Sequence, residues 1–348
     1  MIVLVTGANG FLGRNVVAEL ISRGHHVRAM VRPAADLSRF SWNEHVEVFR
    51  ADLRNHDELE RAFAGVDVLV HLAASVTGGE EAQLSDTVVG TTRLLNAMAK
   101  SSTRRLVLAS SFSVYSFKRA HGMLDEQTPL EGRLYERDGY AVAKTWQERV
   151  VRQASAEHNF ELTVLRPGFI WGPGNDYLAC LGQSFGLIHL VFGPLTRIPL
   201  THVRNCADCF AAAVENPKAV GQTLNVVDDD SVRAWKYMGL YLRGTRKRGI
   251  RVPIPYIVCL LLTHIAHRTS KFIFHGKGKL PSLLVPIRFQ ARFKPLRYSN
   301  KRVREVLGWI PRLSLRECIG LTWPPKRSGT NEPASATPIE TESAIPVS

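Results

Sequence analysis

The sequence predicts an α/β protein, a doubly wound parallel sheet carrying a smaller C-terminal lobe. Three observations carry that prediction. Short aliphatic runs alternate with amphipathic helical stretches through residue 168. The first run ends in a glycine turn that opens directly into a helix. After about residue 175, Pro and Gly become frequent and the helical stretches shorten. Buried parallel strands read as continuous apolar runs, and their crossovers need helices, so this alternation favours a sheet covered on both faces.

The elements follow in order. Residues 2–5 (Ile-Val-Leu-Val) form the first strand, and residues 11–22 a helix with Leu12, Val16, Val17, Leu20 and Ile21 on one side. Residues 27–31 and 46–49 are the second and third strands, the third leading into Ala51-Asp52-Leu53. A short helix is expected over 57–64 and a fourth strand over 66–71, ending at Leu72-Ala73-Ala74. A helix over 87–100 precedes a fifth strand, 105–109, that runs into Ser110-Ser111. A long helix over 140–156 precedes a sixth strand, 162–165, closed by Arg166-Pro167-Gly168. Residues 205–214 look helical and 223–227 add one more strand. Ligands of such sheets sit beyond the carboxyl ends of the strands. The segments around Asp52, Ala73, Ser111 and Gly168 fall there. Residues 1–175 are assigned to the sheet domain and 176–322 to a lobe interleaved with it. Residues 323–348, rich in Pro, Ser, Thr and Glu, are expected to be a disordered tail.

The glycine turn carries chemistry. Gly7, Gly10 and Gly13 stand at three-residue spacing between strand and helix. This is the context of a Rossmann pyrophosphate site: Gly7 permits the turn, Gly10 the approach of phosphates, and Gly13 the packing of helix on strand. The helix N-terminus offers free N–H groups to an anion. Asn9, Phe11 and Leu12 complete the expected contact set. A second feature is Tyr140-Ala-Val-Ala-Lys144, whose spacing of four puts both side chains on one helix face. Free tyrosine titrates near ~10, so a lysine ammonium one turn away is expected to favour the phenolate and ready it for proton transfer.

Together with these, Asp52-Leu53, His71-Leu-Ala-Ala74, Ser110-Ser-Phe-Ser-Val-Tyr115 and Arg166-Pro-Gly-Phe-Ile-Trp-Gly-Pro173 give the chain a resemblance to the extended short-chain dehydrogenase/reductases, the NAD-dependent epimerase/dehydratase family, over about residues 1–320. The resemblance implies Tyr140 as acid/base and Lys144 on the nicotinamide ribose. It implies Ser111 on the substrate oxygen and Asp52 and Leu53 beside the adenine. Leu72, Ala73, Ala74, Pro167 and Gly168 would complete the cofactor contacts. The departures narrow it. Sugar-nucleotide dehydratases of the family carry an Asp-Glu pair where this chain has Phe112 and Ser113. Many nucleotide-sugar epimerases carry Asn at the position of Phe169, and an Asn common in the family appears as Thr87. Arg-Pro-Gly and Val27-Arg-Ala-Met-Val-Arg32 look more like the hydroxysteroid dehydrogenase and dihydroflavonol reductase branches. The expected reaction is hydride transfer at a secondary alcohol or ketone carbon of a lipid-like or ring substrate. The alternative is nucleotide-sugar epimerisation. A cofactor-sensing binding protein is the non-enzymatic reading; such relatives tend to lose the tyrosine. Dimerisation through the helices at 87–100 and 140–156 is implied by the resemblance alone.

The end of the second strand bears on the cofactor. NAD sites usually place a carboxylate there. This chain has Val31 and Arg32, with Arg28 nearby, and an arginine suits a 2′-phosphate, so NADP(H) is favoured over NAD(H).

Composition sets the partners. The net charge is +14, yet residues 231–304 hold 18 Lys and Arg and no Asp or Glu, leaving the rest slightly acidic. Within that segment an apolar run of about 14 residues follows a basic cluster, over 243–266. A membrane span needs ~20 apolar residues, so the run favours a core helix or a monotopic helix on an anionic membrane. An anionic substrate is a further use for the charge. Nucleic acid is disfavoured, since no recognition motif accompanies the basic residues. The odd, scattered cysteines and the missing leader predict a cytoplasmic chain, peripheral on the inner face of a membrane if the basic run docks there. Cys206 and Cys209 read as core residues, and His264 and His267 as lobe or interface residues, so no metal site is assigned.

Overall fold

The computed structural model describes residues 1–325 except 41, 43, 56, 57, 76, 77 and 275–279. At its centre lie β1 (Ile2–Thr6), β2 (His26–Val31), β3 (Val46–Arg50), β4 (Val68–His71) and β5 (Arg105–Ala109). The strands Glu161–Pro167 and Thr223–Val226 extend the sheet to seven, in the order Thr223–Val226, Glu161–Pro167, β5, β4, β1, β2, β3. Every neighbouring pair is parallel. The order reverses between β1 and β4, so the crevice at that switch point is where a ligand binds in such a sheet.

Apolar side chains alternate between two covering layers. Val3, Val5 and Val27 pack with α1 (Phe11–Ser22) and α4 (Val203–Glu215), through Val16, Leu20, Cys206, Cys209 and Phe210. Leu4 and Leu69 pack with α2 (Glu80–Ala99) and α3 (Gly139–His158), through Leu94, Met98 and Val151. Each such leucine contributes about 1.5–3 kcal/mol of burial.

The lobe holds a three-stranded sheet, Ile250–Ile254, Ile188–Phe192, Gly182–Phe185, beside α5 (Ala234–Gly244), α6 (Tyr256–Phe274) and α7 (Pro286–Phe293). Its core gathers around Trp171, Tyr237 and Met238. Because α4 packs on the first sheet and the strand Thr223–Val226 joins it, the chain crosses back and forth between the two parts.

Four expectations are corrected. In place of a helix over 57–64 the described residues show one 3₁₀ turn, Arg61–Phe63; residue 57 lies outside them. Helix α2 starts at Glu80 rather than 87, because Gly79 rather than a polar side chain occupies its N-cap and left no capping signal. The tail does not begin at Trp323: its indole donates to Asp176 Oδ2 at 2.7 Å and packs on Trp171. The rest of that tail, 326–348, lies outside the described residues. The apolar run after residue 251 is neither one helix nor a core helix: Pro255 divides it into a strand and α6.

Candidate functional site

The glycine turn sits at the switch point. Gly7 has φ +68°, and a Cβ there would lie 3.0 Å from Ala73 N, so both conformation and space demand glycine. Gly10 N–H donates to Gly7 O at 3.0 Å and closes the turn. A Cβ on Gly13 would meet Gly7 O at 2.1 Å, so its close approach is to the turn itself rather than to the strand. Gly10 is the N-cap of α1 and supplies no side-chain cap, which leaves the first-turn N–H groups for an anion. Asn9, Phe11 and Leu12 are half-buried around it. A cradle that a Cβ would fill, at an uncapped helix start, fits a dinucleotide pyrophosphate.

Asp52 lies beyond β3 and binds Arg54 at 2.7 Å. The hydrogen bonds from Arg54 are the main reason its carboxyl lies below the usual range; the charge of Arg32 adds to the effect. Arg32 is therefore at the same end of the sheet. It is exposed and has no ion-pair partner among the described residues. Arg28 is not at that end. Its guanidinium pairs with Glu47 at 2.7 Å, its register partner on β3, and donates to the Ala62 and Ala64 carbonyls, because a mid-strand side chain stands off the sheet face rather than beyond the strand end. Leu53 packs over Gly90 of α2, whose Cβ position lies 3.1 Å from Leu53 Cβ. Leu72, Ala73 and Ala74 are half-buried after β4, and Ala73 N–H donates to Thr6 Oγ1 at 3.3 Å.

Asp138 caps α3 by accepting from Ala141 N–H at 3.1 Å, and this fixes where Tyr140 and Lys144 emerge. Ser111 follows the end of β5 in extended conformation. Burial pushes the Tyr140 phenol up, and its hydrogen bond with Ser111 pulls it down. Ser111 and Tyr140 are thus brought together. Lys144 behaves differently from expectation. Its ammonium is buried and donates to Ala109 O and to Gln147 Oε1, both at 2.8 Å, rather than acting on the phenol. Burial pulls it down to about 7, against the opposing charge of Glu148.

Behind this pair lies a polar network that sequence reasoning missed. Gln147 Nε2 donates to Ala73 O at 3.0 Å and to Thr91 Oγ1 at 2.9 Å. Thr91 and Thr6 flank the two ring nitrogens of His71 at 2.9 and 2.7 Å. Burial, then the Lys144 charge, depresses His71 to about 3, so it is neutral near pH 7. On the next turn of α3, Glu148 accepts from Ser110 Oγ at 2.6 Å and from Arg166 Nε at 3.1 Å. Burial opposes its ionisation, but Arg166 and Ser110 hold its carboxyl below the usual range. Arg166 in turn lies 4.8 Å over the Tyr115 ring, and Tyr115 donates to Asn225 Oδ1 at 2.7 Å. The signal was available: Gln147 and Glu148 continue the Tyr140–Lys144 face at helical spacing.

Pro167 is buried at its strand end, and a Cβ on Gly168 would meet Pro199 O at 2.3 Å, so this glycine is needed where two backbones cross. Phe112 is buried and stacks on Tyr298 with centroids 5.8 Å apart. Phe169 packs against the lobe core. Cys206 and Cys209 lie in the apolar core, as expected.

A glycine cradle after β1 at the switch point, with serine, tyrosine and lysine gathered at the end of β5 two strands along, defines a class of dinucleotide-dependent enzymes. The chain belongs to the NAD dependent epimerase/dehydratase family, whose model matches residues 3–226. Among its relatives, 3beta-hydroxysteroid-dehydrogenase/decarboxylase isoform 2 of Arabidopsis thaliana is 25% identical over 344 residues, covering 92% of this chain and 61% of that protein. The chain therefore spans less than two thirds of that relative. A 4-hydroxy-2-methyl-3-oxo-4-farnesyl-3,4-dihydroquinoline-1-oxide ketoreductase of Stigmatella aurantiaca is 28% identical over 318 residues, with coverage of 89% and 92%. The fold is shared with UDP-glucuronic acid 4-epimerase of Bacillus cereus, solved with UDP-glucuronic acid and NAD: TM-score 0.69, 18% identity, 93% of this chain and 98% of that one.

Proposed function

We propose that the protein is an NADP(H)-dependent oxidoreductase acting on a secondary alcohol or ketone carbon of a lipid-like or ring substrate. The observation that carries this is the hydrogen-bond contact between Ser111 and Tyr140 beyond the carboxyl end of β5, in the same parallel sheet whose β1 opens into the glycine turn. When bound, the nicotinamide supplies or accepts the hydride. Ser111 and Tyr140 hold the substrate oxygen, and Tyr140 gives or takes its proton. Lys144, one turn after Tyr140 on the same helix face, would serve a ribose hydroxyl of the bound cofactor. Gly7, Asn9, Gly10, Phe11, Leu12 and Gly13 would hold the pyrophosphate. Asp52, Leu53 and the 72–74 segment would line the nucleoside, and Pro167 and Gly168 the nicotinamide end. The free, exposed Arg32 favours a 2′-phosphate over the bare ribose.

Phe112, Ser113 and Phe169 support the reductase reading over sugar-nucleotide chemistry, as do relatives named as hydroxysteroid dehydrogenases and a ketoreductase. We further propose that residues 1–175 carry the cofactor and 176–322 shape the substrate. In this reading two copies pair through α2 and α3, which expose Val89 and Trp146, and the protein works at a membrane surface. Tyr140→Phe tests the central claim. Turnover is expected to fall by roughly 10²–10⁴ with dinucleotide binding retained; unchanged turnover removes Tyr140 from the chemistry.

A further inference from the structure

Helix α6 is built inside out. Its buried side includes Cys259, Thr263 and Ser270. Its outward side carries Leu261, Leu262 and Ile265 at 56, 55 and 61% exposure. The helix is held to the lobe by Cys259 and by Tyr256, which stacks on Phe289 of α7 at 5.8 Å. Its orientation is therefore fixed by packing, and the apolar stripe is left in water.

The adjoining sheet repeats the pattern. Phe185 is the register partner of Ile188, and Ile188 of Ile250, so the three side chains stand in a row on one face. They are 60, 48 and 70% exposed. The strand that begins at Ile250 ends at Ile254, and Pro255 alone joins it to α6. Monomeric proteins rarely leave contiguous apolar patches of this kind without a partner.

The charges say which partner. Arg246, Lys247 and Arg248 run straight into the strand that carries Ile250, and Arg268 and Lys271 lie on α6 beyond Ile265. All five are exposed, and none is in an ion pair among the described residues. No Asp or Glu occurs anywhere between residues 231 and 304. An apolar face rimmed by cations, on a segment that itself carries no acid, matches the headgroup and acyl boundary of an anionic leaflet. No helix of the described residues is long and apolar enough to cross a membrane.

We infer that α6 and the Phe185–Ile188–Ile250 row form a single monotopic face that lays the substrate lobe on an anionic bilayer. This rests on the reading that the protein works at a membrane, and it names the surface. It extends beyond the 243–266 segment, because Phe185 and Ile188 come from an earlier part of the chain that only the fold brings alongside.

The test is sedimentation of the full-length protein with vesicles of phosphatidylcholine alone or mixed with phosphatidylglycerol. Wild type is expected to pellet with the anionic vesicles and to be released by salt. The Leu261→Ser, Leu262→Ser, Ile265→Ser triple variant is expected to bind at least ten-fold more weakly with an unchanged melting temperature. Arg248→Gln with Arg268→Gln and Lys271→Gln is expected to lose roughly five-fold per residue. Wild-type binding that the serine variant retains would overturn the face and leave the membrane reading standing. Wild type that ignores both vesicles would overturn both. If wild type also shows a larger mass in ultracentrifugation that the serine variant lowers, the face belongs to a second copy. Tyr140→Phe, which tests the hydride reading, is expected to sediment like wild type.

Discussion

Leu4 and Leu261 are the same residue put to opposite uses. Leu4, in β1, is wholly buried between α2 and the sheet, whereas Leu261, in α6, points to solvent. The first half of the molecule spends its apolar residues inward and brings its polar groups together beyond the strand ends. The lobe turns a stripe of apolar residues outward and rims it with cations. Burial explains the first arrangement by itself; the second makes sense only with something to cover it. The difference separates what holds the protein together from what it does elsewhere.

The largest effect expected on the buried side is at Glu148. Glu148→Ala strips Arg166 of its counter-charge in the interior, and chemical unfolding is expected to show a loss of about 3–5 kcal/mol. An effect under ~1 kcal/mol would mean that the site is wetter than its packing implies.

Acid is expected to act on the same region. His71 is depressed to about 3 in the fold, from 6.5. Between those values the unfolded chain binds the extra proton, so the stability His71 contributes is whole above pH 6.5 and is lost as pH falls toward 3. The loss is on the order of a few kcal/mol. Unfolding measured against pH in wild type and His71→Asn gives the contrast, and a variant with the same acid slope would rule out His71 as its source.

Leu4→Ala and Leu261→Ala then set the two regions against each other. The first should cost about 2–5 kcal/mol. The second should stay within ~0.5 kcal/mol and appear only in vesicle binding. A costly Leu261→Ala would mean that α6 is covered in the isolated protein. The smallest effect on stability is expected at Arg32, which is exposed. Arg32→Ala should leave the melting temperature alone and weaken NADPH by roughly ten- to hundred-fold while sparing NADH, the range of a charge-assisted hydrogen bond. Equal losses for both cofactors would contradict the 2′-phosphate role.

What the sequence disclosed follows the same division. The sheet, α1 at 11–22 and the Ser111, Tyr140 and glycine positions were legible because local signals coincide with the fold: aliphatic runs, required glycines and helical spacing. Arg28 was misjudged because sequence proximity to a strand end does not say which way a side chain points. The direction of the Lys144 ammonium was misjudged because spacing places a side chain on a helix face without saying which acceptors await it. Gln147, Thr91 and His71 form a network only through tertiary contact. The face of α6 stayed open between a core and a monotopic helix for the same reason. A helix that is apolar on one side looks like a core helix until its packing partners are known.

The most direct test of the account is mass spectrometry of the ligands released from gently purified protein. The account predicts NADP(H), alone or with a lipid-like molecule, and no nucleotide sugar. Tightly held NAD accompanied by a nucleotide sugar would contradict it. That result would place the chain among the epimerases and show that Arg32 and Phe169 had been given a meaning they do not have.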